Sequence, residues 1–200
     1  MMKSIISSYV TALDELNLLV SACYHTADHA AQVADDLLSG LIRAYTLGVQ
    51  NASAMLGTNL PVNLDEMEEA IYVLIDGKTF ADRVAAHMQE NSLGRLQTLA
   101  QSEFHRVYNQ AVDNSAKTYI RQGNAGITKT WCTAGDEKVR DTHDYLEGMT
   151  INASQDFYTY DGDYAAYPGG FSKPENNINC RCIVILHGSE PVKTQPQTRG

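Results

Sequence analysis

Basic residues are scarce in this chain: 15 Lys plus Arg stand against 24 Asp plus Glu, a formal net charge of -9 over 200 residues. Binding a phosphate backbone needs a basic stripe, and no stretch supplies one, which argues against nucleic acid as a direct high-affinity ligand. No apolar run approaches the length of a membrane span, so no membrane partner is expected. The opening Met1-Met2-Lys3-Ser4-Ile5-Ile6 is broken by serines and reaches Asp14-Glu15 too soon for a signal peptide. The expectation is a protein made and kept in the cytoplasm, where its four cysteines stay reduced and are better candidates for metal ligands than for disulfides. What is present is ordinary. Hydrophobic residues at 44% and charged ones at 20% give a globular composition, enough for one core with a helical extension.

Helical spacing dominates the first part of the chain. Ile6, Val10, Leu13, Leu16, Val20 and Cys23 predict a helix over 4–23, and Val33, Leu37, Leu41, Ala44 and Leu47 a second from Asp28 to about Leu56. The two should pair as an antiparallel hairpin, closed by Gly57 to Pro61. A third helix is predicted from Leu64 to Ile75, its start acidic to suit the dipole. Thr79 caps a fourth to about Glu90, and the longest runs from Leu93 to Arg121, closed by Gly123. The period then changes. Ile127 to Cys132 reads as a strand, Glu137 to Leu146 as a short helix, Met149 to Ile151 as a strand, 153–179 as a long irregular loop, and Cys180 to His187 as the last strand. The fold class is therefore α+β, with helices first and a small antiparallel sheet after them. The divisions expected are a helical hairpin over 1–57, a mixed module over 58–187 and a polar tail over 188–200.

Most of the specific text lies between Trp131 and Cys182. Cys180 and Cys182 are two apart on a strand, so both sulfurs share one face and Arg181 takes the other. A bond between them would close a small strained ring, whereas both can readily hold one metal ion. His143 and Cys132 are the next soft ligands, and Cys132, Asp136 or water could take the fourth position. The competing reading makes the cysteines small core residues and His143 a hydrogen-bonded structural histidine. Asp136 paired to Arg140 or Arg181 would lock the turn after Trp131 against the last strand. Alternatively, Arg140 and His143 face a phosphate or carboxylate substrate, although the motif carries no evident nucleophile and no Gly-rich phosphate loop. Glu103 and Arg106, one helical turn apart, read as an ion pair or a polar contact to the motif. In 156–171 six aromatics alternate with Asp156, Asp161 and Asp163 instead of lysines, which suits a lid or a protein-binding surface. His25 and His29 only superficially echo an inverted zincin motif.

Taken together, Trp131, Asp136, Arg140, His143, Gly148, Phe157 and Asn179-Cys180-Arg181-Cys182 resemble the phage Mu F-like head morphogenesis family, the minor head proteins of tailed bacteriophages. Ala100-Gln101-Ser102-Glu103 with Arg106 and Asn109 resembles the helix before that motif, Gln101 and Ser102 departing from the usual text. In some relatives the positions of Arg140 and His143 are both cysteine, giving what looks like a zinc site; Arg140 cannot serve as a ligand here. The resemblance implies a non-enzymatic minor head protein that acts in procapsid assembly, and in DNA entry, through portal, scaffold or major capsid protein. It implies a place in the host cytoplasm during assembly and then in the procapsid or virion interior. The cofactor it points to is one structural zinc. The rival reading is a zinc-dependent hydrolase or toxin-like effector that uses His143 and its neighbours.

Overall fold

The structure, a computed structural model, describes residues 2–26 and 29–188. The predicted tail therefore lies, from residue 189 on, outside the described residues, as does the predicted helix start at Asp28. Helix α1 spans Met2–Thr26 and α2 spans Ala30–Leu56, with His29 accepting from the Gln32 amide as the α2 N-cap. The buried stripe of α1 is Ile5, Tyr9, Ala12, Leu16, Val20 and Cys23, and the predicted Ile6 and Val10 are exposed. Tyr9 is what moves the stripe: a tyrosine can be buried when its hydroxyl is satisfied, and here it bonds His105 Nδ1 at 2.8 Å.

Helix α3 spans Leu64–Ile71, not 64–75. Asp76 and Gly77 both have positive φ, and Ile75 and Lys78 exchange backbone bonds of 3.1 and 3.0 Å around them. That tight hairpin turn needs extended neighbours, so the helix stops before it. Helix α4 spans Phe80–Gln89 behind a Thr79/Asp82 capping box, and α5 runs from Leu93 to Arg121. Helices α2 and α5 form the main helical contact, and Gly48 lets them touch backbone to side. A Cβ there would lie 2.5 Å from the Tyr108 carbonyl oxygen and 2.7 Å from Ala111 Cβ.

The sheet follows. Strand β1 (Thr128–Cys132) is central, flanked antiparallel by β2 (Thr150–Asn152) and the last strand β5 (Ile183–His187), in the order β2-β1-β5. The α+β class holds. One buried face carries Lys129, Trp131, Val184 and Leu186, and the Leu186 amide reaches Met55 Sδ of α2 at 3.1 Å. Helix α6 is one turn, Asp141–Asp144, shorter than the predicted 137–146, because Asp136 turns the chain back with its own side chain accepting from the Lys138 amide. The long loop is built rather than irregular. It holds the hairpin β3 (Phe157–Tyr158) with β4 (Tyr164–Ala165) and the short α7 (Pro174–Asn177). Among the described residues no helix is long and apolar enough to cross a membrane.

Candidate functional site

Trp131 is fully buried on β1, and its ring packs against Phe157 at 5.1 Å, His143 at 5.3 Å and Phe171 at 5.7 Å. Around this anchor the chain must reverse twice. Gly148 has φ +71 and gives its amide to the Trp131 carbonyl at 2.9 Å, carrying the chain from α6 into β2. Asn179 has φ +57 and its amide reaches Ser102 Oγ at 3.3 Å, which turns the chain into Cys180. Both motif positions are explained by left-handed backbone, which glycine adopts freely and asparagine tolerates. Ser102, a departure from the family text, serves as the acceptor.

Cys180 and Cys182 project inward from the approach to β5 while Arg181 projects outward. Arg181 takes both oxygens of Asp136, at 2.6 and 2.5 Å, and this pairing, more than burial opposes it, brings the Asp136 carboxyl down to about 2. Arg140 caps the carbonyl of Ile178 at 2.6 Å and that of Glu175, so its charge ties α6 to α7 instead of facing a substrate.

Inside, His143 stacks on Phe171 at 5.5 Å and turns Nδ1 toward Cys180 Sγ at 3.5 Å and Cys182 Sγ at 3.4 Å. All three are buried, and their ligand atoms lie within 4.8 Å of one another. Burial opposes ionisation of Cys180, yet the Cys182 thiol and the His105 and His143 imidazoles together bring its pKa below the ordinary thiol value. Cys182 moves up, chiefly because its thiol hydrogen-bonds to Cys180 and so holds its proton, and then because it is buried. Zinc bound tetrahedrally at about 2.3 Å to sulfur and about 2.0 Å to imidazole separates those two ligand atoms by about 3.5 Å. The observed spacings match that edge, and a void of about 10 Å³ borders all three residues, room for one atom-sized guest. The donor set therefore fits zinc with three protein ligands. Cys132 does not join them: the alternation of β1 turns it to the face opposite Trp131, where it is half-buried with its sulfur against the Thr130 carbonyl. Asp136 is held by Arg181 instead.

A second polar cluster lies on α5. Glu103 is buried between Arg83 at 2.8 Å and Arg106 at 2.7 Å. Burial alone would raise its pKa, but the two guanidiniums prevail and hold it below the ordinary carboxylate value. Arg106 also donates to the Ala70 carbonyl at the end of α3 at 2.8 Å, and a Cβ on Gly169 would sit 3.0 Å from Arg106 Cα, so the loop lies directly on this helix. Asn109, three residues on, accepts from the Val184 amide at 3.1 Å and donates to the Cys182 carbonyl at 3.3 Å. One face of α5 thus holds α3, the loop and β5. The same cluster floors a cleft of about 570 Å³ between α4, α5 and residues 169–178.

Three participants escape a reading of the sequence. His105 sits behind Cys180, a lone histidine in helical text with no local signal. Asp163, buried, accepts from the amides of Tyr164, Ser172 and Lys173 and from Asn176, anchoring the loop. Lys129, also buried, pairs with Asp113 at 3.0 Å and donates to the Ala166 carbonyl at 2.7 Å. Its parity with Trp131 on β1 was the available signal.

Fold and site together define a small mixed module clamped onto a helical scaffold by buried ion pairs and a sulfur and imidazole cluster. Residues 64–185 match the family described as Phage Mu protein F like protein, and the chain belongs to that family. It is 32% identical over 113 residues to "Minor head protein GP7" of Bacillus phage SPP1, a match covering 56% of this chain and 36% of that protein. It is 28% identical over 122 residues to "NAD(+)--arginine ADP-ribosyltransferase EFV" of Enterococcus faecalis (strain ATCC 700802 / V583), covering 59% of this chain and 25% of that protein. The chain thus spans about a third and a quarter of these curated relatives. No solved structure matches.

Proposed function

We propose that this chain works as a minor head protein in the assembly of a tailed-phage head, through contacts with portal, scaffold or major capsid protein. It is made in the host cytoplasm and ends in the procapsid or virion interior, where it supports DNA entry. The observation that carries this reading is the extent of the family match, which takes in the α5 clamp, Trp131, Asp136, His143 and both inward cysteines. The similarity to a relative named as a minor head protein points the same way. On this reading the site residues are architectural. Glu103, Arg106 and Asn109 dock the sheet module, Asp136 and Arg181 fasten its first turn, and Gly148 and Asn179 shape its reversals.

His143, Cys180 and Cys182 would hold one structural zinc as its three protein ligands. The metal would cross-link α6 to the last strand. The hairpin of α1 and α2 supplies contacts to other head proteins. Co-expression with the portal, scaffold and major capsid proteins of the encoding phage, followed by gradient sedimentation, tests the assembly role. The chain should travel with procapsids, and recovery only at the top of the gradient rejects it.

A second reading, a zinc-dependent hydrolase or toxin-like effector using His143, is favoured by the relative named as an ADP-ribosyltransferase. Against it, the sulfurs and His143 are buried and face one another, so a substrate has no direct approach. Incubation with labelled NAD and an arginine-bearing acceptor protein should give no transfer; transfer abolished by His143→Ala in a folded variant would establish the second reading.

A further inference from the structure

The β3–β4 hairpin has two unlike faces. Phe157, Thr159, Asp163 and Ala165 are buried and fix it to the module, with Thr159 bonding the Asp163 amide at 3.1 Å and its carbonyl at 3.0 Å. The other face is tyrosine. Tyr158 and Tyr164 are cross-strand partners stacked at 5.5 Å, and Tyr160, in the turn between them, meets Tyr145 edge-on at 5.8 Å. Each of the four is more than half exposed. Rings whose backbone is already pinned lose little freedom when a partner covers them.

Charge tells what kind of partner fits. From Asp141 to Ala165 the sequence has six carboxylates and no Lys or Arg. Asp163 is spent internally, Asp161 pairs with Lys173, Asp156 is half-buried and Glu147 accepts from the Thr133 amide, which leaves Asp141 and Asp144 exposed on α6, within one turn of Tyr145. Tyrosine faces attract cations, and the guanidinium group both stacks on a ring and bonds a carboxylate in the fork geometry. We propose that this ridge docks an arginine-rich segment of a partner protein. The sign of the charge argues against nucleic acid, and at net charge -9 a second copy of this chain would be repelled.

Fluorescently labelled octaarginine and octalysine, titrated against the full chain at about 0.15 M salt and read by anisotropy, test the proposal. Octaarginine should bind at least about threefold tighter than octalysine, and Tyr158→Ala, Tyr160→Ala and Tyr164→Ala combined should weaken it about tenfold. The corresponding Phe substitutions keep the rings and should stay within about twofold of the parent. If the triple Ala variant melts early, Tyr145→Ala on neighbouring α6 should by itself cost about threefold. Equal binding of the two peptides, or unchanged octaarginine binding by the Ala variants, would overturn it and leave net charge alone as the cause, and no binding of either peptide would overturn it outright. Self-association of the chain that vanishes in the triple Ala variant would overturn it too, assigning the ridge to a second copy.

Discussion

Glu103→Gln is the most informative single change in the scaffold. The wild-type carboxylate is 95% buried and pairs with two guanidiniums, Arg83 and Arg106, themselves mostly out of water. Glutamine keeps the volume and one acceptor oxygen but removes the charge, leaving both arginines uncompensated. Breaking a buried pair from one side costs about 3 to 5 kcal/mol. At about 2 to 4 °C per kcal/mol for a chain of this size, the low end of that range lowers Tm by about 6 to 12 °C at neutral pH.

The pH dependence is a second signature of the same carboxylate. Because its folded pKa is depressed, Glu103 contributes stability that is fully present above the unfolded glutamate value of about 4.3 and is lost as pH falls below it toward the folded value. The gap in Tm between wild type and variant should therefore hold down to about pH 5 and narrow below about 4.3. Calorimetric melts from neutral pH into acid give both numbers. A loss under 2 °C at neutral pH, or a gap that stays constant into acid, would refute the view that this pair clamps α4 and the loop to α5.

Elemental analysis of freshly purified protein should find about one zinc per chain, lost together with thermal stability in Cys180→Ser, Cys182→Ser and retained in Cys132→Ser. No metal, with the double variant as stable as wild type, would mean that Trp131 and the polar clamps hold the module unaided. Gly48→Ala should cost about 1 to 3 kcal/mol in denaturant unfolding, because the new methyl meets the Tyr108 carbonyl, and a neutral effect would show that α2 and α5 can move apart. Asp136→Asn should lower Tm only slightly and by less at high salt, since its pair with Arg181 is exposed. What the wild-type pair contributes is present above the ordinary aspartate pKa and lost as pH falls toward about 2.

The parts of the fold that sequence makes legible are those decided locally. Caps and glycines mark α4 and α5 because Thr79, Ser92 and Gly123 act within a turn of themselves. The inward pair Cys180 and Cys182, with Arg181 opposed, follows from strand parity. Illegible were features decided by distant neighbours. Tyr9 is buried because the ring of His105, 96 residues away, hydrogen-bonds its hydroxyl. Lys129 is inside because Asp113 waits there on α5. A hydrophobicity pattern scores both as surface, and only a partner from another element makes either burial affordable. Cys132 failed as a ligand for the converse reason: proximity in the motif says nothing when parity puts the sulfur on the wrong face.

That distinction bears on what a motif means in this chain. Polar residues concentrated in one stretch invite a chemical reading, yet chemistry needs a group that is both reactive and reachable. Most polar motif atoms here are turned to another protein group, the buried His143 Nε2 and Trp131 Nε1 being exceptions. Asp136 meets Arg181, Arg140 meets two carbonyls, Glu103 meets two arginines, Asn109 completes the edge of β5, and His143 meets two sulfurs. Such mutual satisfaction is what holds a module with only a three-stranded sheet against its helices, where apolar burial in so small a unit is limited. Within the module, the tyrosines of the β3–β4 hairpin and their acidic neighbours face outward. The ridge thus offers a docking surface in addition to the α1 and α2 hairpin, and Trp131, packed on both His143 and Phe157, links it to the sulfur and imidazole cluster.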